Sequence, residues 1–128
     1  MGQKGLRPDI VISSDLVDYS GIIDNKAYKD GYSLTHSQRN AMRTYIESYD
    51  SYRIDEHPLR FFCYVVSDVK STMNSQLKDM AQMNGIPGAA ITARDIVRLA
   101  RRKEKLTHAQ FLELFSSNRV VDVLGLGV

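Results

Sequence analysis

The feature that most restricts how this chain can fold is the run Leu59-Arg-Phe-Phe-Cys-Tyr-Val-Val66. It is far shorter than the ~20 apolar residues of a membrane span. Its length and its aromatic and β-branched content fit a buried β-strand. Such a strand needs partners in a sheet and layers that cover it.

The rest of the chain supplies both. Ile10-Val-Ile12 and Gly21-Ile-Ile23 are short β-branched runs separated by Ser13-Ser-Asp-Leu-Val-Asp-Tyr-Ser20, which contains turn formers; they predict a strand pair joined by a hairpin or short loop. From about Thr35, Met42, Tyr45, Ile46 and Tyr49 recur at helical spacing and predict an amphipathic helix ending near Asp50, followed by a polar loop from Ser51 to Pro58. From Ser71, Met73, Leu77, Met80 and Ala81 predict a second helix that Asn84-Gly85 stops, and Gly88-Ala-Ala-Ile91 is a small strand candidate. Thr92 with Asp95, and Thr107 with Gln110, have capping-box spacing and predict helices over 93–103 and 108–117. The order β-β-α-β-α-β-α-α implies an α/β fold in which helices flank a mixed sheet. At 128 residues, the stretch 1–128 is expected to form a single domain. The last residues, Asp122-Val-Leu-Gly-Leu-Gly-Val128, read as an extended tail or a strand pairing elsewhere.

Composition excludes several function classes. Charged residues at 25% and hydrophobic residues at 43% argue against disorder, and a formal net charge of +2 makes no global case for nucleic acid. The single cysteine, Cys63, rules out an internal disulfide or a multi-cysteine zinc site and is expected to be a buried small hydrophobe. No apolar run approaches a membrane span, and Met1-Gly-Gln-Lys-Gly-Leu lacks a signal peptide's apolar core, so the cytoplasm is the default compartment and no membrane partner is expected. His36, His57 and His108 show no ligand spacing and read as surface or capping residues. Neither Gly-x-Ser-x-Gly nor a cysteine outside a core strand supports a serine or cysteine hydrolase.

Charges inside strand-like segments are the unusual element, because an unpaired buried charge is expensive. Asp24 and Lys26 alternate with Asn25 along one strand, so both point to one side, and Asp9 lies at the end of the neighbouring strand. Two carboxylates that converge repel each other, and a divalent cation relieves this while accepting the hard oxygen ligands Mg²⁺ prefers. The Asn25 carbonyl is a further candidate ligand. Lys26 could orient a water or offset charge growing on a phosphate. The pattern alone also fits an Asp-Lys ion pair at a strand end, with Asp9 capping a turn.

The surrounding residues narrow that choice. Arg7-Pro-Asp9, Asp18-Tyr-Ser-Gly-Ile-Ile-Asp-Asn-Lys-Ala-Tyr28, Gly31-Tyr-Ser-Leu34, and Gln38 with Met42 and Tyr45 together resemble the catalytic core of the FokI-type cleavage domain, within the PD-(D/E)XK nuclease superfamily. The resemblance is dense over about Gly5 to Tyr49 and looser over Val65 to Val120. It implies a restriction-endonuclease-like α/β fold, with Asp9 and Asp24 as Mg²⁺ ligands (Mn²⁺ substituting), Lys26 as the catalytic lysine, and double-stranded DNA as substrate. It leaves Gln38 with two roles, an amide near the scissile phosphate or a cover for a helix end. Tyr28 shares the face of Asp24 and Lys26 but is expected to serve the core.

Three departures modify these expectations. The family's helical segment before Pro-Asp, with its acidic residue, is expected to be missing, since Asp9 lies close to Met1. The loop from Tyr49 to Leu59 is shorter. Asn40 and Thr44 occupy the positions of the acid and arginine through which that family pairs two cleavage domains. A second cleavage domain or a specificity subunit is therefore the partner to look for, and a noncatalytic DNA-binding or protein-interaction role is the alternative.

Arg94, Arg98, Arg101 and Lys105 fall at i, i+4, i+7 and i+11, a basic helical stripe able to contact DNA phosphates or to serve as a solvated face. Ile96, Leu99 and Ala100 are expected to face the core. Phe111, Leu114 and Phe115 read as core or partner-facing.

Overall fold

The computed structural model describes residues 8–26, 35–68, 72–102, 104 and 106–123. Five strands form one mixed sheet in sequence order: β1 (Ile10–Ser14), β2 (Tyr19–Lys26), β3 (Leu59–Val66), β4 (Gly88–Thr92) and β5 (Arg119–Val120). β1 runs antiparallel to β2, whereas β2, β3, β4 and β5 are mutually parallel. Each parallel step needs a crossover. These are supplied by α1 (His36–Glu47) with α2 (Tyr49–Tyr52), by α3 (Met73–Asn84), and by α4 (Ala93–Arg101) with α5 (His108–Phe115).

β3 occupies the stretch read from its apolar run, and six of its residues, Phe61 to Val66, are buried. Alternation along β3 divides the core in two. Phe62, Tyr64 and Val66 join Ile22, Met42, Tyr45, Met73 and Leu77 under α1 and α3, while Phe61, Cys63 and Val65 join Ile23, Leu99 and Phe115 under α4 and α5. Cys63 is fully buried, as expected. Gly21 is required by close approach: a Cβ there would lie 2.1 Å from Phe61 Cζ, and Phe61 itself stacks on Phe115 at 5.3 Å. Gly85 ends α3 in the left-handed region at φ 75, matching the stop read from Asn84-Gly85.

Several boundaries differ from expectation. The helix foreseen from Thr35 to Asp50 breaks at Ser48, whose N–H bonds Ile46 and Thr44 carbonyls, and the chain resumes as α2; the polar loop therefore begins at Arg53. α4 stops at Arg101 and α5 at Phe115 rather than at 103 and 117. The Thr107–Gln110 box is complete, but Thr92 only accepts from Asp95 N, because the Asp95 carboxylate turns to Arg98 at 2.7 Å. Ala100 is exposed rather than in the core, since Ala93, Ile96 and Leu99 already fill the inner face of α4. Phe115 is buried, with Phe111 and Leu114 half-buried against the same cluster. β5 arises just before the stretch read as a tail, and Val123 beyond it is buried.

His36 and His108 are exposed, as expected, whereas His57 is partly buried; two of the three also tie the fold together. His57 bridges the β1–β2 turn, with Nε2 2.6 Å from Asp15 Oδ1 and Nδ1 2.6 Å from Asp18 Oδ1. His108 Nδ1 lies 2.5 Å from Ser14 Oγ, and its carbonyl accepts the Tyr19 hydroxyl at 3.1 Å, which ties α5 to the same end of the sheet. No helix among the described residues is long and apolar enough to cross a membrane.

Candidate active site

The parallel strands end together at Lys26, Val66 and Thr92, and open α/β sheets place ligands at that carboxyl edge. Because β1 is antiparallel to β2, its start lies at the same edge, with Ile10 opposite Ile23. Asp9 therefore arrives beside the end of β2. Its Oδ2 accepts the Asn25 N–H at 2.8 Å, which holds the carboxylate in place.

Asp24 and Lys26 share the α1/α3 face of β2, and Lys26 Nζ lies 3.1 Å from Asp24 Oδ2. Asp24 is only 3% exposed and lies within hydrogen-bonding reach of Asp9 as well. Burial pushes its pKa above the ordinary carboxylate value; Lys26 opposes the rise and Asp9 adds to it. The two carboxylates and the lysine read from the sequence are thus brought together.

Two tyrosines complete the surroundings. Tyr64 pairs across from Asp24 in the β2–β3 register, and its hydroxyl donates to the Gln38 carbonyl at 3.3 Å, fixing the start of α1 over this edge. Tyr45, farther along α1, is 7% exposed and feels the charges of Asp24, Lys26 and Asp9. Sequence spacing placed Tyr45 on the face of Gln38 and Met42, but nothing in that spacing distinguished a site tyrosine from a core one.

The side chain of Gln38 is engaged locally. Its Oε1 accepts from Thr35 N at 3.0 Å and from Thr35 Oγ1 at 2.8 Å, while Thr35 Oγ1 accepts from Gln38 N at 3.2 Å. This is a complete capping box. Tyr28 and Lys105 lie outside the described residues. The stripe on α4 covers the other face of the sheet from Asp24: Arg94 and Arg101 are exposed, and Arg98 pairs with Asp95. Arg94 sits in the first turn of α4, next to the carboxyl edge, and Arg101 about 10 Å farther back along the helix.

The family model of the FokI cleavage domain matches residues 1–122. The chain belongs to the FokI cleavage-domain family. Its fold is shared with solved structures of restriction endonuclease FokI (TM-score 0.76) and of restriction endonuclease FokI bound to DNA (TM-score 0.77). Each is 22% identical, and each comparison covers 91% of this chain but 23% of the solved one. No match was found among curated proteins.

The donor set of this FokI-family site fits a hard divalent cation. Asp9 and Asp24 converge, and the Asn25 backbone lies between the strand ends. Among the described residues no group of three or more His, Cys, Asp or Glu side chains gathers where an ion could bind. An ion here would take only two side-chain ligands and keep water or phosphate for the rest, which suits Mg²⁺.

Proposed function

We propose that this chain is a divalent-metal-dependent DNA endonuclease cleavage module, hydrolysing phosphodiester bonds of double-stranded DNA, with sequence specificity supplied by another domain or subunit. The observation that carries the reading is the convergence of Asp9, Asp24 and Lys26 at the carboxyl edge of the sheet of a FokI-family chain.

Asp9, Asp24 and the Asn25 carbonyl are the groups that would hold Mg²⁺ or Mn²⁺. When bound, such an ion makes water a better nucleophile at neutral pH and offsets charge on the phosphoryl oxygens. Lys26, already oriented by Asp24, places an ammonium where negative charge grows during attack. The Asn25 N–H keeps Asp9 from rotating away, so the two carboxylates stay converged without a ligand. Asp24, seated in the core, has little freedom to swing away. Arg94 and its neighbours on α4 would add sequence-independent phosphate contacts beside this edge. Gln38 joins the chemistry only if its amide leaves the cap. The partner through which the module acts would be a second cleavage domain or a specificity subunit.

Cleavage of supercoiled plasmid with Mg²⁺ or Mn²⁺ at low salt tests the reading. Nicking by the wild type that Asp24→Ala and Lys26→Ala both abolish supports it. Duplex binding with neither metal-dependent cleavage nor, by isothermal titration, binding of Mg²⁺ or Mn²⁺ would sink it in favour of a noncatalytic DNA-binding role; metal binding without cleavage would mean that the partner is required.

A further inference from the structure

The described residues include five tyrosines, and four have engaged hydroxyls: Tyr19 donates to His108 O, Tyr49 to His57 O, Tyr52 to Tyr45 O and Tyr64 to Gln38 O. Tyr45 is the exception. Its ring is buried with Ile22 and Tyr64, which are the residue two before Asp24 on the same face of β2 and the residue paired with Asp24 across β3. Its hydroxyl donates to none of the described residues, and it is not among the polar atoms sealed in the core without a partner. A buried tyrosine normally finds a hydrogen-bond partner. This one instead packs with the residues that flank Asp24, near enough for the charges of Asp24, Lys26 and Asp9 to act on it.

Resting on the nuclease reading above, we propose that the Tyr45 hydroxyl is a further substrate contact, donating a hydrogen bond to a non-bridging oxygen of the DNA phosphate held at Asp24 and Lys26. The chemistry is suitable: a phenol is a neutral donor that can approach an anionic oxygen without repelling a cation nearby. It also remains a donor at neutral pH, because burial pushes its pKa up, Asp24 and Asp9 add to the rise, and only Lys26 opposes it. The ring packs in the core and the helix backbone at Tyr45 is anchored by the Tyr52 hydroxyl at 2.6 Å, so the donor is held in place before substrate arrives.

Tyr45→Phe removes the oxygen and keeps the ring. Since that oxygen bonds no described residue, the fold should be unaffected. The test is fluorescence anisotropy of a labelled blunt duplex with Ca²⁺ in place of Mg²⁺, compared among wild type, Tyr45→Phe and Tyr49→Phe across a salt series. Loss of one charge-assisted hydrogen bond predicts about tenfold weaker binding for Tyr45→Phe. The slope of affinity against salt should not change, because no cation and hence no counterion release is lost. Plasmid cleavage with Mg²⁺ should fall in parallel. Tyr49→Phe, altered near the opposite end of the sheet, should bind duplex as the wild type does. Wild-type affinity in Tyr45→Phe overturns the inference, as does a loss that Tyr49→Phe shares. Failure of the wild type both to cleave and to bind Mg²⁺ or Mn²⁺ would refute the nuclease reading separately, and the duplex comparison decides the role of the Tyr45 hydroxyl in either case.

Discussion

Lys26 Nζ stands 3.1 Å from Asp24 Oδ2 at the carboxyl edge of β2, yet this ion pair does not bring the Asp24 pKa back to its ordinary value of 3.8, because burial outweighs it and Asp9 works in the same direction as burial. The folded chain thus holds a proton on Asp24 more tightly than the unfolded chain. The resulting stability is present at low pH and is lost as pH rises through the raised folded value, so seating Asp24 in the fold costs stability at neutral pH. Asp24→Asn should therefore melt a few degrees higher than the wild type at pH 7, about 2–5 °C for a domain of this size. The same change should lower metal-dependent cleavage at least about a hundredfold. Thermal denaturation and plasmid cleavage on one preparation check both; a lower melting temperature would contradict the argument.

His57 predicts a pH response of the same sign at the far end of the sheet, but from a favourable contact that is lost rather than from a buried charge that is gained. Both ring nitrogens face carboxylates, Asp15 and Asp18, and its pKa rises from 6.5 to about 8 through those two hydrogen bonds, with Asp55 contributing. Arg53 lies against the same loop and donates to the His57 carbonyl at 3.2 Å. A raised histidine pKa gives stability that is complete below 6.5 and lost as pH rises through about 8. The melting temperature of wild type should exceed that of His57→Gln at pH 6 and converge with it above pH 9. Because Asp15 and Asp18 are exposed, added salt should shrink the difference.

What the sequence discloses and what it conceals follow from the range of the interactions involved. β3 is legible because burial on both faces makes its composition continuous, and Asp24 and Lys26 are legible because strand alternation alone puts them on one side. The partners of His57 lie 42 and 39 residues away, and only the folded turn brings them to its ring. β5 has two residues and exists because β4 offers carbonyls to Asn118 and Val121, so no local pattern announces it. The break at Ser48 interrupts a helical periodicity that Tyr49 and Tyr52 continue on the buried side. The basic stripe on α4 was visible as charge, but which face of the sheet it covers was decided by Leu99 packing with Phe61 and Phe115.

Gly21 gives a packing prediction independent of function. A methyl group there meets the Phe61 ring, which is fully buried and stacked on Phe115 and cannot retreat. Gly21→Ala should destabilise the chain by about 1–3 kcal/mol, measured by urea denaturation. Combined with Phe61→Leu, its added cost should shrink, because the smaller side chain frees the space.

Gln38 can be assigned by separating stability from activity. Its amide closes the capping box with Thr35, so Gln38→Ala should lower stability by about 1 kcal/mol. Gln38→Glu keeps an acceptor for Thr35 N and should restore most of that loss. If the cap is the whole role, plasmid cleavage well below the melting temperature should be unchanged in both variants. A cleavage defect in Gln38→Glu with stability restored would place the amide in the chemistry.

The stripe on α4 is tested by a gradient along the helix. Arg94 sits in its first turn beside the carboxyl edge, whereas Arg101 lies about 10 Å behind it on the face away from Asp24. A duplex whose scissile phosphate reaches Lys26 can touch Arg94 with less wrapping than Arg101 requires. Arg94→Ala should then weaken duplex binding uniformly across sequences and reduce the magnitude of the salt slope by about 1, the signature of one lost phosphate contact. Arg101→Ala should change the slope by much less. Arg98 is already paired with Asp95 at 2.7 Å, so Arg98→Ala should fall between them or below both. Equal, small effects for all three would make the stripe a solvated helix face, and a larger effect for Arg101 than for Arg94 would mean that DNA approaches from the α4/α5 side of the sheet.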